Sequence, residues 1–156
     1  MGINIDTNYY IFLDIDGVLN KESDWKKGLY YLNKECLNNF LLYLNKVKNF
    51  KIVIISTWRN GDGIKELEKY FPIYDKTPNS NKDRQAEVEY YIKRNNITKY
   101  IVIDDDISLY HTPESVNIYI PDYRTGLTMN DINKLFKKIR LNTSSLVICK
   151  GECYEP

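Results

Sequence analysis

The chain has 156 residues, with 22 lysines and arginines against 21 aspartates and glutamates and a formal net charge of +1. That is the length of one domain, residues 1–156, and so balanced a charge excludes a global field drawing the protein onto nucleic acid or a membrane. A polyanionic partner has to be held locally. No basic-then-apolar start and no run of about 18 apolar residues occurs, so a soluble cytoplasmic protein with no membrane partner is expected. The three cysteines, Cys36, Cys149 and Cys153, are too few for a disulfide framework and fit a reducing compartment. Cys149 and Cys153 also lack the two further ligands of a structural zinc site. His111 is the only histidine, which excludes a histidine-rich metal site, and a G-x-S-x-G nucleophile motif is absent.

Tyr9 to Leu13 is a continuous apolar and aromatic run and predicts a buried strand. It runs into Asp14-Ile15-Asp16-Gly17. Side chains alternate along a strand, so Asp14 and Asp16 start on one side while Ile15 points into the core, and Gly17 permits a sharp turn. Two carboxylates this close repel unless a cation neutralises them or one holds a proton, which implies a metal, acid/base work, or both. Gly17 falls fourth rather than sixth, which excludes an EF-hand loop. Residues 21–31 read as a loop or small flap whose Trp25 and Tyr30 line an entrance.

Leu37, Phe40, Leu41, Leu44 and Val47 recur at helical spacing, predicting an amphipathic helix over 34–48 capped by Asn33 and packed on a sheet. A second buried strand is expected over 51–55, ending at Ser56-Thr57-Trp58-Arg59 and the Gly61-Asp62-Gly63 turn. A short helix follows over 64–71, stopped by Pro72. Ile73-Tyr74 reads as a brief strand and 76–81 as a loop. Residues 83–95 form a helix with acids early and bases late, matching the helix dipole, and with Val88, Tyr91 and Ile92 inward. Lys99 to Ile103 is a strand that again ends in acids, Asp104-Asp105-Asp106, and Asn117 to Ile120 is another. Thr128 caps the last helix with Asp131 at its third position and Leu127 stapled to Ile132. The core spans about 9–140, and the tail from 141 carries an apolar run, Leu146 to Cys149, readable as an edge strand.

Strands alternating with crossover helices predict an α/β three-layer sandwich, a Rossmann-like and mostly parallel sheet with helices on both faces. Ligands of such sheets bind outside the carboxyl ends of the strands. Three strands here end in polar groups, Asp14/Asp16, Ser56/Thr57 and Asp104/Asp105, with Lys82 and Arg84 arriving at the start of a helix. Singly each has an ordinary structural explanation, in caps, turns or solvated charges. In this order they reinforce one another.

The combination resembles the haloacid dehalogenase (HAD) superfamily of phosphohydrolases: Asp14-Ile15-Asp16-Gly17-Val18 matches its first motif, Ile52 to Ser56 its second, and Ile101 to Asp105 its fourth. Asp14 to Asn20, Ser56-Thr57-Trp58-Arg59, Arg84 three residues before Glu87, and Gly126-Leu127-Thr128 are similar to the phosphatase-like domains linked to RNA-repair proteins. The resemblance implies that Asp14 attacks phosphorus to form an aspartyl-phosphate while Asp16 protonates the leaving oxygen and then activates water. It implies a magnesium cofactor on Asp14, the Asp16 carbonyl and Asp105, with Asp104 orienting, although the motif alone leaves open which of Asp104 and Asp105 touches the metal. Ser56, with Thr57 as alternative, would hold the phosphoryl group, and Arg84 or Lys82 would neutralise its charge. The alternative class is a catalytically idle phosphate-binding scaffold on the same fold.

Members with small-molecule substrates carry a cap domain, and the gaps Val18 to Lys51 and Asn60 to Asn81 are too short for one, which would need about 50 residues. An open site is therefore expected, with selectivity coming from the surface beside the phosphate. Trp25, Trp58, Arg59, Lys82 and Arg84 offer stacking and phosphate contacts suited to an oligonucleotide end or a nucleotide, with a phosphoprotein as the second choice, over free sugar phosphates.

Overall fold

The computed structural model describes residues 8–47, 49–80 and 83–142. Its elements run β1 (Tyr9–Leu13), α1 (Lys34–Lys46), β2 (Phe50–Ile54), α2 (Gly63–Leu67), β3 (Asp75–Lys76), α3 (Arg84–Arg94), β4 (Tyr100–Ile103), β5 (Ile118–Tyr119) and α4 (Met129–Asn142). The five strands form one parallel sheet in the order β3-β2-β1-β4-β5. The chain leaves β1 towards β2 and β3, then returns past β1 to β4 and β5. This reversal puts a topological switch point at the carboxyl ends of β1 and β4, where a crevice opens for ligand.

Alternation along the strands divides the core into two layers. Ile11, Leu13, Ile52, Ile54, Ile101 and Ile103 face one side, where they pack with Leu37, Phe40 and Leu44 of α1, Leu67 of α2, and Ile132 and Leu135 of α4. Phe12, Val53 and Val102 face the other, against Val88 and Tyr91 of α3. Helices therefore cover both faces, and the central strand can be apolar throughout because neither side meets water. The segment between β1 and β2 holds one short 3-10 turn, Glu22–Asp24, and α1. That between β2 and α3 holds the 3-10 turn Thr57–Arg59, α2 and β3, so neither gap carries a cap domain.

The helix ends follow local chemistry. Asn33 accepts from the Glu35 and Cys36 N–H groups, Asp83 caps α3 through the Ala86 N–H, and Thr128 and Asp131 form a reciprocal capping box. Leu127 and Ile132 join the same apolar cluster, as the staple requires. Two boundaries differ from the sequence expectation. The third strand is Asp75–Lys76 rather than Ile73-Tyr74: the Tyr74 N–H makes the first bond to β2, at the Ile52 carbonyl (2.8 Å), and the residues that pair with Val53 and Ile54 are Asp75 and Lys76. The second helix ends at Leu67, and the chain continues to Phe71 as turns held by Leu67. The expected strand at Leu146 to Cys149 lies outside the described residues, as does Cys153. Among the described residues no helix is long and apolar enough to cross a membrane.

Candidate active site

The parallel ladder carries Asp14 one residue beyond β1, its N–H donating to the Ile103 carbonyl (2.9 Å). Alternation then aims the side chain at the layer of Phe12, beneath the first turn of α3, while Ile15 enters the opposite core layer. Gly17 turns the chain with φ +85°. A Cβ at Gly17 would stand 2.3 Å from an Asp105 carboxylate oxygen, so glycine is required twice, by dihedral and by space.

From β4 come Asp104 and Asp105. Asp104 is fully buried, and both of its oxygens are occupied: Oδ1 accepts from the Asp106 N–H (3.0 Å), and Oδ2 from Arg84 (2.9 Å) and the Tyr110 hydroxyl (2.8 Å). Asp105 is only half-buried and is hydrogen-bonded to Asp14. One carboxylate oxygen from each of Asp14, Asp104 and Asp105 lies within 4.8 Å of the others. Burial, then the charge of Asp104, hold the Asp14 carboxyl well above the usual carboxylate range, against the pull of Arg84. Burial likewise raises Asp105, opposed by its hydrogen bond to Asp14. Three acids in a desolvated corner suit a hard divalent cation, which takes oxygen ligands and would relieve this crowding.

Arg84 enters at the start of α3, placed by the Asp83 cap. Its guanidinium stands 3.3 Å from Asp14 and 2.9 Å from Asp104, and although burial disfavours its charge, these two acids raise its pKa. Burial, then Asp104, raise Tyr110 in turn, so it remains a neutral donor. Lys82, the other expected cation, lies outside the described residues.

Asp16 is exposed, and two N–H donors converge on its Oδ1: Asn20 Nδ2 at 2.9 Å and Trp58 Nε1 at 3.2 Å. Asn20 is buried and satisfied at every position, also donating to the Tyr31 carbonyl (3.0 Å) and accepting from the Gly17 N–H and from Trp25 Nε1 (both 2.9 Å). The loop carrying Trp25 is anchored in turn by buried Asp24, which accepts from the Lys21 N–H and Asn33 and pairs with Lys27 at 2.9 Å.

Ser56 is buried and caps the 3-10 turn by accepting from the Trp58 N–H (3.1 Å), leaving its hydroxyl proton to point elsewhere. Thr57 beside it is exposed. Asp14, Asp16, Ser56, Thr57, Arg84 and Asp105 line a cleft of about 200 Å³ with Trp25, Asp106 and Leu109. A larger groove, about 590 Å³, adjoins it and shares Asp16 and Trp25.

Two expected substrate contacts have other partners in the packing. Arg59 is buried, and its guanidinium is committed to Glu87 (3.1 Å), the Ile55 carbonyl (3.1 Å), Thr77 and Asn79 (2.8 Å), so it braces the β2 loop against α3. Trp58 is 5% exposed, its ring lies in the core edge-on to Tyr30, and it lines the groove while its indole N–H serves Asp16. Asn20, Tyr110 and Asp24 hold the expected site residues or the loop beside them in place, and the sequence did not assign them. Asn20 was visible in the run Asp14 to Asn20 but without a role, and nothing local distinguishes Tyr110 or Asp24 from surface residues.

No curated protein and no solved structure matches the chain. A family model does, over residues 10–132, and its description is HAD domain in Swiss Army Knife RNA repair proteins. With first-motif carboxylates at the end of β1, an acid pair at the end of β4 and a basic residue between them, the chain belongs to that HAD domain family.

Proposed function

We propose that the protein is a magnesium-dependent phosphomonoester hydrolase acting through an aspartyl-phosphate, with Asp14 as nucleophile and Asp16 as general acid and base. The observation that carries this reading is the convergence of Asp14, Asp105 and Arg84 on one cleft, with Asp104 buried behind them. Asp104 is fully buried and accepts three hydrogen bonds, whereas Asp105 is only half-buried, which favours Asp14, the Asp16 carbonyl and Asp105 as the residues that would hold magnesium, with Asp104 orienting Arg84 beside them. Magnesium held there would supply the positive charge that lets Asp14 and Asp105 stay ionised together and would screen the phosphate from the attacking carboxylate.

An Asp14 oxygen attacks phosphorus, the bond to the ester oxygen breaks, and the Asp16 proton goes to that oxygen. Both donors fall on Asp16 Oδ1, which suits Oδ2 to carry the proton. Asp16 then takes a proton from water as it attacks the aspartyl-phosphate, releasing phosphate and restoring Asp14. Ser56 donates its hydroxyl to a phosphoryl oxygen, and the Arg84 guanidinium offsets the charge that develops there. Trp25 and the open groove support a terminal phosphate on an oligonucleotide as the substrate, in keeping with the RNA-repair description of the family.

The test is phosphate release from a panel of phosphorylated oligonucleotides, nucleotides, phosphopeptides and hexose phosphates, with and without magnesium. Magnesium-dependent turnover with the highest kcat/KM on an oligonucleotide end is expected. A clear advantage for the hexose phosphate rejects the open-site substrate assignment, and no turnover on any member leaves the idle scaffold.

A further inference from the structure

If Asp16 protonates the leaving group, that group must emerge on the Asp16 side of the phosphorus, and this is where the 590 Å³ groove begins. The groove is lined by Trp25, Lys26, Leu29, Tyr30, Tyr31 and Trp58, among others. Its size falls within the range of small-molecule sites, and its walls combine four aromatic rings with Lys26 and with the polar groups of Asp16, Asn20 and Asp24.

Trp25 stands at the junction of groove and cleft and lines both. An exposed tryptophan alone means little. This one keeps 46% of its surface exposed although its indole N–H is fixed on buried Asn20 at 2.9 Å. Tyr123, itself 41% exposed, stacks on it with ring centroids 6.1 Å apart and planes 23° apart. The Arg124 guanidinium lies over the Tyr123 ring at 6.0 Å. The two loops are joined by the backbone as well, the Glu22 N–H donating to the Tyr123 carbonyl (3.0 Å). A row of flat groups held rigid at the surface carries little core function. It does offer a prepaid surface for stacking, since its own ordering cost is met before anything binds.

We propose that Trp25, backed by Tyr123, is the stacking platform for the unpaired terminal base of the leaving strand. Its position as a leaving-group site rests on the phosphatase reading; its capacity to bind a base does not. The groove has volume for a flat ring, the exposed Lys26 in its lining offers a strand phosphate a cation, and the platform meets the cleft through Trp25 itself.

The experiment reads binding apart from turnover. The Asp14→Asn chain is titrated with an unphosphorylated RNA trinucleotide and with its abasic counterpart, by calorimetry. Stacking of one base predicts an advantage of about tenfold for the trinucleotide. Trp25→Ala should erase that advantage, Tyr123→Ala should reduce it, and Trp25→Phe, which keeps a ring but loses the bond to Asn20, should retain most of it. Equal affinity for the two ligands, an advantage unchanged in Trp25→Ala, or tighter binding of a tyrosine-containing peptide of the same length each overturns the platform. Base-dependent binding in a chain that releases no phosphate from any substrate would sustain the platform and reject the phosphatase reading alone.

Discussion

Asp14 and Asp16 are one residue apart and live in different surroundings. Asp14 is buried under Arg84 with its carboxyl raised by desolvation and by Asp104, whereas Asp16 is exposed and steadied by Asn20 and Trp58. The proposed roles ask different things of the two: Asp14, as nucleophile, needs Arg84 and a bound cation to keep it ionised against its burial, and Asp16, as proton carrier, needs access to the leaving group and to water. Asp14→Asn keeps the shape, removes the nucleophile and should lower turnover at least about a thousandfold while leaving the thermal midpoint unchanged or higher. Activity within tenfold of wild type would falsify the nucleophile assignment. Asn20→Asp is isosteric and still accepts from Gly17 and Trp25, yet it replaces the donor to Asp16 with a carboxylate. Turnover should fall by about 10- to 100-fold, more for alkyl than for aryl esters, because poor leaving groups need the proton most. An equal loss on both ester types rejects the positioning role. At Gly17 the conflict is steric: Gly17→Ala places a methyl 2.3 Å from Asp105 at φ +85°. Denaturant melts should show a loss of roughly 1–3 kcal/mol, together with weakened magnesium binding.

The elements deliver the polar groups at their ends, and local sequence explains how. β1 and β4 are apolar to their last residue, so the first polar side chains appear where the strands leave the core. α3 is capped by Asp83, which brings Arg84 in at its first residue with no slack. The turn after β2 is where expectation and packing part. Arg59 reads locally as an exposed cation beside a polar turn, yet Glu87, three residues on from Arg84, faces it across the interior and the pair is buried. Removing one partner leaves an uncompensated buried charge, so Arg59→Ala should cost about 3–5 kcal/mol in a denaturant melt. The kcat/KM of the fraction that stays folded should be little changed. A stable Arg59→Ala protein with weakened oligonucleotide binding would instead return Arg59 to the substrate surface.

Across the molecule, the crowded carboxyls couple metal, proton and stability. Asp14 and Asp105 both titrate above their ordinary value of 3.8 in the folded chain. The native state therefore holds more protons than the unfolded one, and this contribution is fully present below that value and is lost as pH rises through the raised native values. Magnesium should reverse the loss by binding the ionised acids. Asp24, Asp83 and Asp122 are lowered and act in the opposite sense, so the loss is read in thermal melts as the difference between the metal-free protein and Asp14→Asn, which should widen above about pH 4, while the shift produced by magnesium should grow with pH. Asp14→Asn should flatten the magnesium trend. A magnesium shift independent of pH, or full phosphatase activity in chelator, contradicts the metal assignment. Calcium should inhibit, since it prefers more ligands at longer distances.

The alternation of apolar strands with amphipathic helices was enough to determine the layered parallel sheet, the caps and the carboxyl ends where chemistry collects. These are short-range consequences of periodicity and capping, legible in a window of a dozen residues. The first-motif acids and the acid pair after β4 were legible for the same reason, since they interrupt apolar runs. Only the tertiary structure decided which acid of that pair is buried and tied to side chains, because the side-chain donors to Asp104 come from Arg84 and Tyr110, residues distant in sequence or hidden in a turn. It alone separated Trp25 from Trp58 and took Arg59 from the surface. Burial and partnership of a polar side chain depend on what the fold packs against it, and that information is spread across the chain rather than written beside the residue.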